Sequence, residues 1–66
     1  MTKIKVLRLE RDIKSFEMSR SLNIHPSVIS NVEAGKAKAS DSVRMKHSSF
    51  FGIPAEELFS DERYAL

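Results

Sequence analysis

Between Pro26 and Gly35 the chain carries Ser27, Val28, Ser30 and Asn31, four short side chains of which none is acidic. Asn31 brings a carboxamide that donates and accepts hydrogen bonds at once, and Ser27 and Ser30 bring hydroxyls. A helix face meant only for water would usually carry Glu and Lys. These groups suit the edges of nucleic-acid bases instead: an amide pairs bidentately with adenine, a hydroxyl bonds either partner type, and Val28 or Pro26 packs on thymine methyls. Lys36 and Lys38 follow in a basic loop, with Ser40 just beyond. Side chains of that kind hold phosphates, which position a duplex without reading it.

Two short helices must place these residues, and the stretch 15–36, SFEMSRSLNIHPSVISNVEAGK, predicts them. Asn23 tolerates the left-handed backbone that stops a helix. Pro26 suits a first helical turn, where its missing N–H would be unbonded anyway. One helix therefore ends near Leu22 and the next begins near Pro26, with three residues between them, the length of a helix-turn-helix connection. Met18 and Leu22 share a face at i, i+4, and Ile29 and Val32 share one at i, i+3. Ile24 caps the cluster from the turn, Ser19 is small where the helices meet, and Gly35 ends the second helix.

The segment IHPSVISNVEAGK resembles the recognition segment of the lambda-repressor/Cro-like helix-turn-helix family, in which I-S-x-x-x-I-S-x-x-E-x-G-K recurs. Ile24, Ile29, Ser30, Glu33, Gly35 and Lys36 match that pattern, and the resemblance extends over roughly residues 3 to 59, through Leu7-Arg8 and GIPAEELF at 52–59. It implies an all-α domain of five helices with a helix-turn-helix at about 15–33, binding double-stranded DNA as a homodimer. The helix at 26–33 would lie in the major groove, with Pro26, Ser27, Val28 and Asn31 at base edges. Lys14, Ser15, Arg20, His25, Ser30, Lys36, Lys38 and Ser40 would meet phosphates. Two departures stand out. Ser15 replaces a Gln that usually touches the DNA backbone, and His25-Pro26 replaces Ser/Thr-Gln, whose Gln often reads a base.

Thr2 is expected to cap a first helix over about Lys3–Arg11. Ile4, Leu7 and Arg8 fall on one face of it, and an inward Arg needs a partner because a lone buried charge is costly. The resemblance supplies Glu33, a structural pair tying the first helix to the third. Asp12-Ile13-Lys14 connects to the second helix, with Ser15 a reasonable N-cap and Lys14 the cap by the family pattern. Ser40 and Asp41 start a fourth helix to about Phe51, with Val43, His47, Phe50 and Phe51 inward. Arg44, His47 and Ser48 make that stripe unusually polar. A fifth helix runs from Pro54 to about Phe59. The single domain is expected to be ordered over about 2–60, with a frayed tail at 60–66.

Composition narrows the function classes. With no Cys there is no disulfide, thiol chemistry or Cys-based zinc site. His25 and His47 are too far apart in sequence for a helical ligand pair, so no metal or other cofactor is expected. The two glycines are isolated, which rules out a phosphate-binding loop, and no serine sits in a nucleophile elbow. An enzyme is therefore not expected. No apolar run approaches the roughly 20 residues of a membrane span, and charges interrupt the basic N-terminus, so no signal peptide is read. A cytoplasmic protein is the simplest expectation. Residues 1–54 hold ten Lys/Arg against five Asp/Glu, a net of +5, while residues 55–66 hold one Arg against four acids, a net of −3. A basic body suits a polyanion partner. Two alternatives stay open: a module that binds protein through Val6, Leu9, Phe16 or the C-terminal helix, and an antitoxin-type regulator.

Overall fold

The computed structural model describes residues 1–66 and is all-helical, with α1 (Lys3–Glu10), α2 (Ser15–Leu22), α3 (Pro26–Glu33), α4 (Asp41–Phe51) and α5 (Ala55–Leu58). The helix starts follow side-chain caps. Thr2 Oγ1 accepts from Lys5 N, and Ser40 Oγ accepts from Val43 N, each satisfying one of the amides a first turn leaves free. Of the two cap positions expected for α2, the earlier one holds. Lys14, not Ser15, is the N-cap residue of α2, and its amide is held from the other side by Glu17 Oε1 at 3.2 Å. Ser15 is thus the first residue inside the helix.

Three helices stop in the same way. Asn23, Gly35 and Gly52 have φ of 55°, 75° and 70°, the left-handed conformation. After α3, Gly35 N donates to Val32 O and Lys36 N to Asn31 O; after α2, Asn23 N donates to Arg20 O and Ile24 N to Ser19 O. These paired bonds satisfy the last carbonyls of each helix. A Cβ at Gly35 would touch Ala65 O and Thr2 Cγ2 at 3.9 Å, ordinary contacts. The left-handed φ, not space, is what favours glycine there.

The core is built from Ile4, Met18, Leu22, Ile29, Val32, Ala39, Phe51, Leu58 and Phe59, with Leu7, Ile13, Ile24, Val43, Phe50 and Ile53 packed around it. All five helices contribute or adjoin it, so α3 is seated by its apolar edge. Ser19 is buried and donates to Ile24 O, which explains a small hydroxyl residue at the α2–α3 turn. Arg11 caps the end of α4, donating from Nη2 to Phe51 O at 3.1 Å with its guanidinium 5.2 Å from the Phe51 ring centre.

The end of the chain differs from the expectation of a frayed tail. Ala65 forms an antiparallel bridge with Phe59, Leu66 N donates to Leu58 O, and Lys3 N donates to Leu66 O. Ala39 N donates to Arg63 O at 2.9 Å. Residues 60–66 therefore fold back and tie α1, the loop after α3 and α5 together. The turn works because Phe59 leaves the helix in extended geometry (φ −131°) and Arg63 takes φ 73°. For the same reason α5 is shorter than the expected Pro54–Phe59: Pro54 is its N-cap and Phe59 its C-cap. The first helix likewise ends one residue early, with Arg11 as its cap.

One member of the polar stripe of α4, His47, has a physical account. His47 is fully buried, its Nδ1 donating to Val43 O at 2.7 Å, and its ring meets Phe59 edge to face with centres 5.7 Å apart. Its Nε2 has no partner. Burial pushes this imidazole below the usual histidine value, partly opposed by the Val43 carbonyl and by Glu33. The folded state therefore holds His47 neutral while the unfolded chain takes up a proton near pH ~6.5. Stability from this site is complete above that pH and falls as the pH drops further. The urea midpoint is expected to fall between about pH 7 and about pH 5, and to fall less in His47→Leu. Equal pH dependence in the two proteins would contradict this assignment.

Candidate functional site

Along α3 one edge is buried and the other is open. Ile29, Val32 and Glu33 face the core, while Pro26, Ser27, Val28, Ser30 and Asn31 are exposed. This is the 3.6-residue periodicity of a helix with one packed face. All four residues expected at base edges are thus solvent-accessible on one short helix. The Asn31 carboxamide makes no hydrogen bond to the protein, whereas its backbone carbonyl accepts from Lys36 N.

His25 has a role that its position beside proline did not reveal. It is the N-cap of α3: its Nδ1 accepts from Ser27 N at 3.1 Å and lies 2.8 Å from Ser27 Oγ. Because the amide is a donor, Nδ1 is the acceptor and the ring proton sits on Nε2. An exposed imidazole N–H therefore projects from the start of the helix. The Ser27 hydroxyl is engaged with this ring, whereas the Asn31 carboxamide and the Ser30 hydroxyl have no partner within the protein.

The pair tying α1 to α3 is well formed. Arg8 Nε and Nη2 donate to Glu33 Oε2 and Oε1, both at 2.8 Å, and Arg8 Nη1 donates to Ile13 O at 2.9 Å. Only 13 % of the Arg8 side chain and 8 % of the Glu33 side chain are exposed, so the charges are largely withdrawn from water. The hydrogen bonds to Glu33 hold the guanidinium above its ordinary value, against the effect of burial, with the carboxylate charge adding to them. Thr2 Oγ1 also donates to Glu33 O. Glu33 is thus gripped at its side chain from α1 and at its backbone from the α1 N-cap.

The cations and hydroxyls expected at phosphates are distributed around α3. Lys14 and Ser15 open α2, and Lys36, Lys38 and Ser40 follow α3; all are exposed. The Lys38 ammonium lies 6.0 Å from the Tyr64 ring centre. Ser15 and Ser30 come together, since both line a cavity of about 190 Å³ with Lys5, Arg8, Glu33 and Ala34. Arg20 is exposed, and its guanidinium sits 5.8 Å from the Phe16 ring centre on its own helix. Lys5 is the residue the sequence reading missed. Its only signal was its place three residues before Arg8, on the same side of α1.

Val6, Leu9 and Phe16 are all exposed. Val6 lines a groove of about 410 Å³ with Met1, Leu7, Ile53 and Leu58, whereas Leu9 lies outside that lining and Phe16 lies under Arg20. No group of three His, Cys, Asp or Glu side chains could hold a metal ion, and no helix is long and apolar enough to cross a membrane. Protein-family models yield no match to this chain, and neither do curated proteins.

Proposed function

We propose that this chain is a sequence-specific DNA-binding regulator of the Cro/repressor type, with α3 in the major groove and α2 resting above it. The observation that carries the reading is the open edge of α3. It bears short, uncharged side chains, with the Asn31 amide free, on a helix whose opposite edge is locked into the core. Eight residues make a helix about 12 Å long, on the scale of a major groove about 12 Å wide. Lysines and hydroxyls on both sides of α3 suit the phosphate rails. The domain measures 27 × 21 × 20 Å, less than the roughly 34–36 Å between half-sites one helical turn apart. That footprint suits one half-site, and the resemblance to the Cro/repressor family implies a homodimer on a two-fold symmetric site.

Selection of bound sites from a random duplex pool tests the reading. A preferred sequence should emerge, and its affinity should fall steeply between about 50 and 200 mM salt. Lys36→Ala should weaken all sequences alike and reduce the salt slope by roughly one unit. A pool that yields no preferred sequence would count against a regulator. It would favour the second reading, a protein-interaction module, which the apolar groove of Met1, Val6, Leu7, Ile53 and Leu58 supports.

A further inference from the structure

The cavity where α1, α2 and α3 meet has more side-chain donors in its lining than the three other cavities of the surface. Lys5 and Arg8 come from α1, Ser15 from α2, and Ser30, Glu33 and Ala34 from α3 or its end; Ala34 supplies the sole apolar wall. Its one acid is already taken, because both Glu33 oxygens accept from Arg8. That fork cancels two opposite charges and leaves the Lys5 ammonium as the net charge of the cavity. Lys5 has no carboxylate within ion-pairing distance, unlike Lys3, whose ammonium caps Glu57 O. Arg8 uses three of its five N–H groups on Glu33 and Ile13, so two have no protein acceptor. Two serine hydroxyls complete a set of donors with no free acceptor of matching charge. An oxyanion is what such a lining takes.

Position narrows the anion. Ser30 and Ala34 are four apart and share the flank of α3 that faces this cavity, while Asn31, one residue on, belongs to the open edge. An anion seated here lies beside the strip that would meet bases, where a duplex backbone runs. We propose that Lys5, with the hydroxyls of Ser15 and Ser30, seats one phosphate of the duplex at the α1–α2–α3 junction. The inference rests on the DNA-binding reading above. It adds α1 to the contact surface and makes Lys5 a positioning contact that carries no sequence information.

The salt dependence of duplex affinity tests this, measured for the selected site with the unaltered protein, Lys5→Gln, Lys5→Arg and Lys46→Gln. Lys46 lies beside Ser21 and Phe50 in the α2–α4 groove, away from this cavity. Lys5 is exposed, so both of its variants should melt like the parent. Lys5→Gln should lower the slope of log K against log salt by roughly 0.9, one phosphate's worth, and leave the preferred sequence unchanged. Lys5→Arg should restore the slope, and Lys46→Gln should not alter it. If the parent binds and Lys5→Gln keeps the parental slope or changes the preferred sequence, this inference fails and the DNA reading stands. If the parent binds no duplex, the two fall together.

Discussion

Arg8→Ala is expected to unfold the domain or to destabilise it strongly. The substitution strands the Glu33 carboxylate, whose side chain is 8 % exposed and accepts from Arg8 at both oxygens. Removing one partner of a buried pair costs about 3–5 kcal/mol, because the remaining charge stays buried without compensation. A 66-residue chain at about 0.05–0.15 kcal/mol per residue has a total of roughly 3–10 kcal/mol to lose. The expected loss is therefore a third of the stability or all of it. Circular dichroism under urea reads it as a collapsed midpoint, and a midpoint unchanged from the parent would refute the role given to this pair. The double substitution Arg8→Met with Glu33→Leu separates stability from architecture. Replacing both partners with apolar groups is often neutral, so much of the lost stability should return. What should not return is the bond from Arg8 Nη1 to Ile13 O, which holds the α1–α2 connection.

The features legible in the sequence are those that one residue's backbone chemistry dictates. Asn23 stops α2, Pro26 starts α3 and Gly35 ends it because each restricts or frees φ in a known way. The buried stripe of α3 was equally legible, since Ile29 and Val32 repeat at helical spacing. The fold-back of residues 60–66 was not. Its holds are backbone bonds, such as Ala39 N to Arg63 O and Lys3 N to Leu66 O, and backbone groups carry no side-chain signature. His25 was hidden for a related reason: a ring nitrogen can cap a helix, but histidine has no strong preference for that position. His47 looked out of place because its partner, the Val43 carbonyl one turn back, is invisible to a pattern of apolar spacing. Lys5 joined Ser15 and Ser30 only once three helices had been packed together.

Asn31→Ala should cost sequence preference and little else. The carboxamide is exposed and bonded to nothing in the protein, and alanine is the better helix former, so the fold should be unharmed or slightly strengthened. A bidentate amide–adenine contact discriminates by about 1–3 kcal/mol, on the order of 5- to 150-fold in relative affinity. Site selection with the variant should therefore return a motif relaxed at one base pair per half-site. Affinity for unrelated duplexes, which depends on phosphates, should hardly move. The neighbouring hydroxyl does not substitute for the lost amide, because Ser27 Oγ is 2.8 Å from His25 Nδ1 and is already engaged. Lys36→Ala gives the opposite pattern, uniform weakening with an intact motif. That contrast assigns the two residues to different layers of one interface. Were Asn31→Ala to select the parental motif unchanged, the open edge of α3 would have to read its target through Val28 and Pro26 instead.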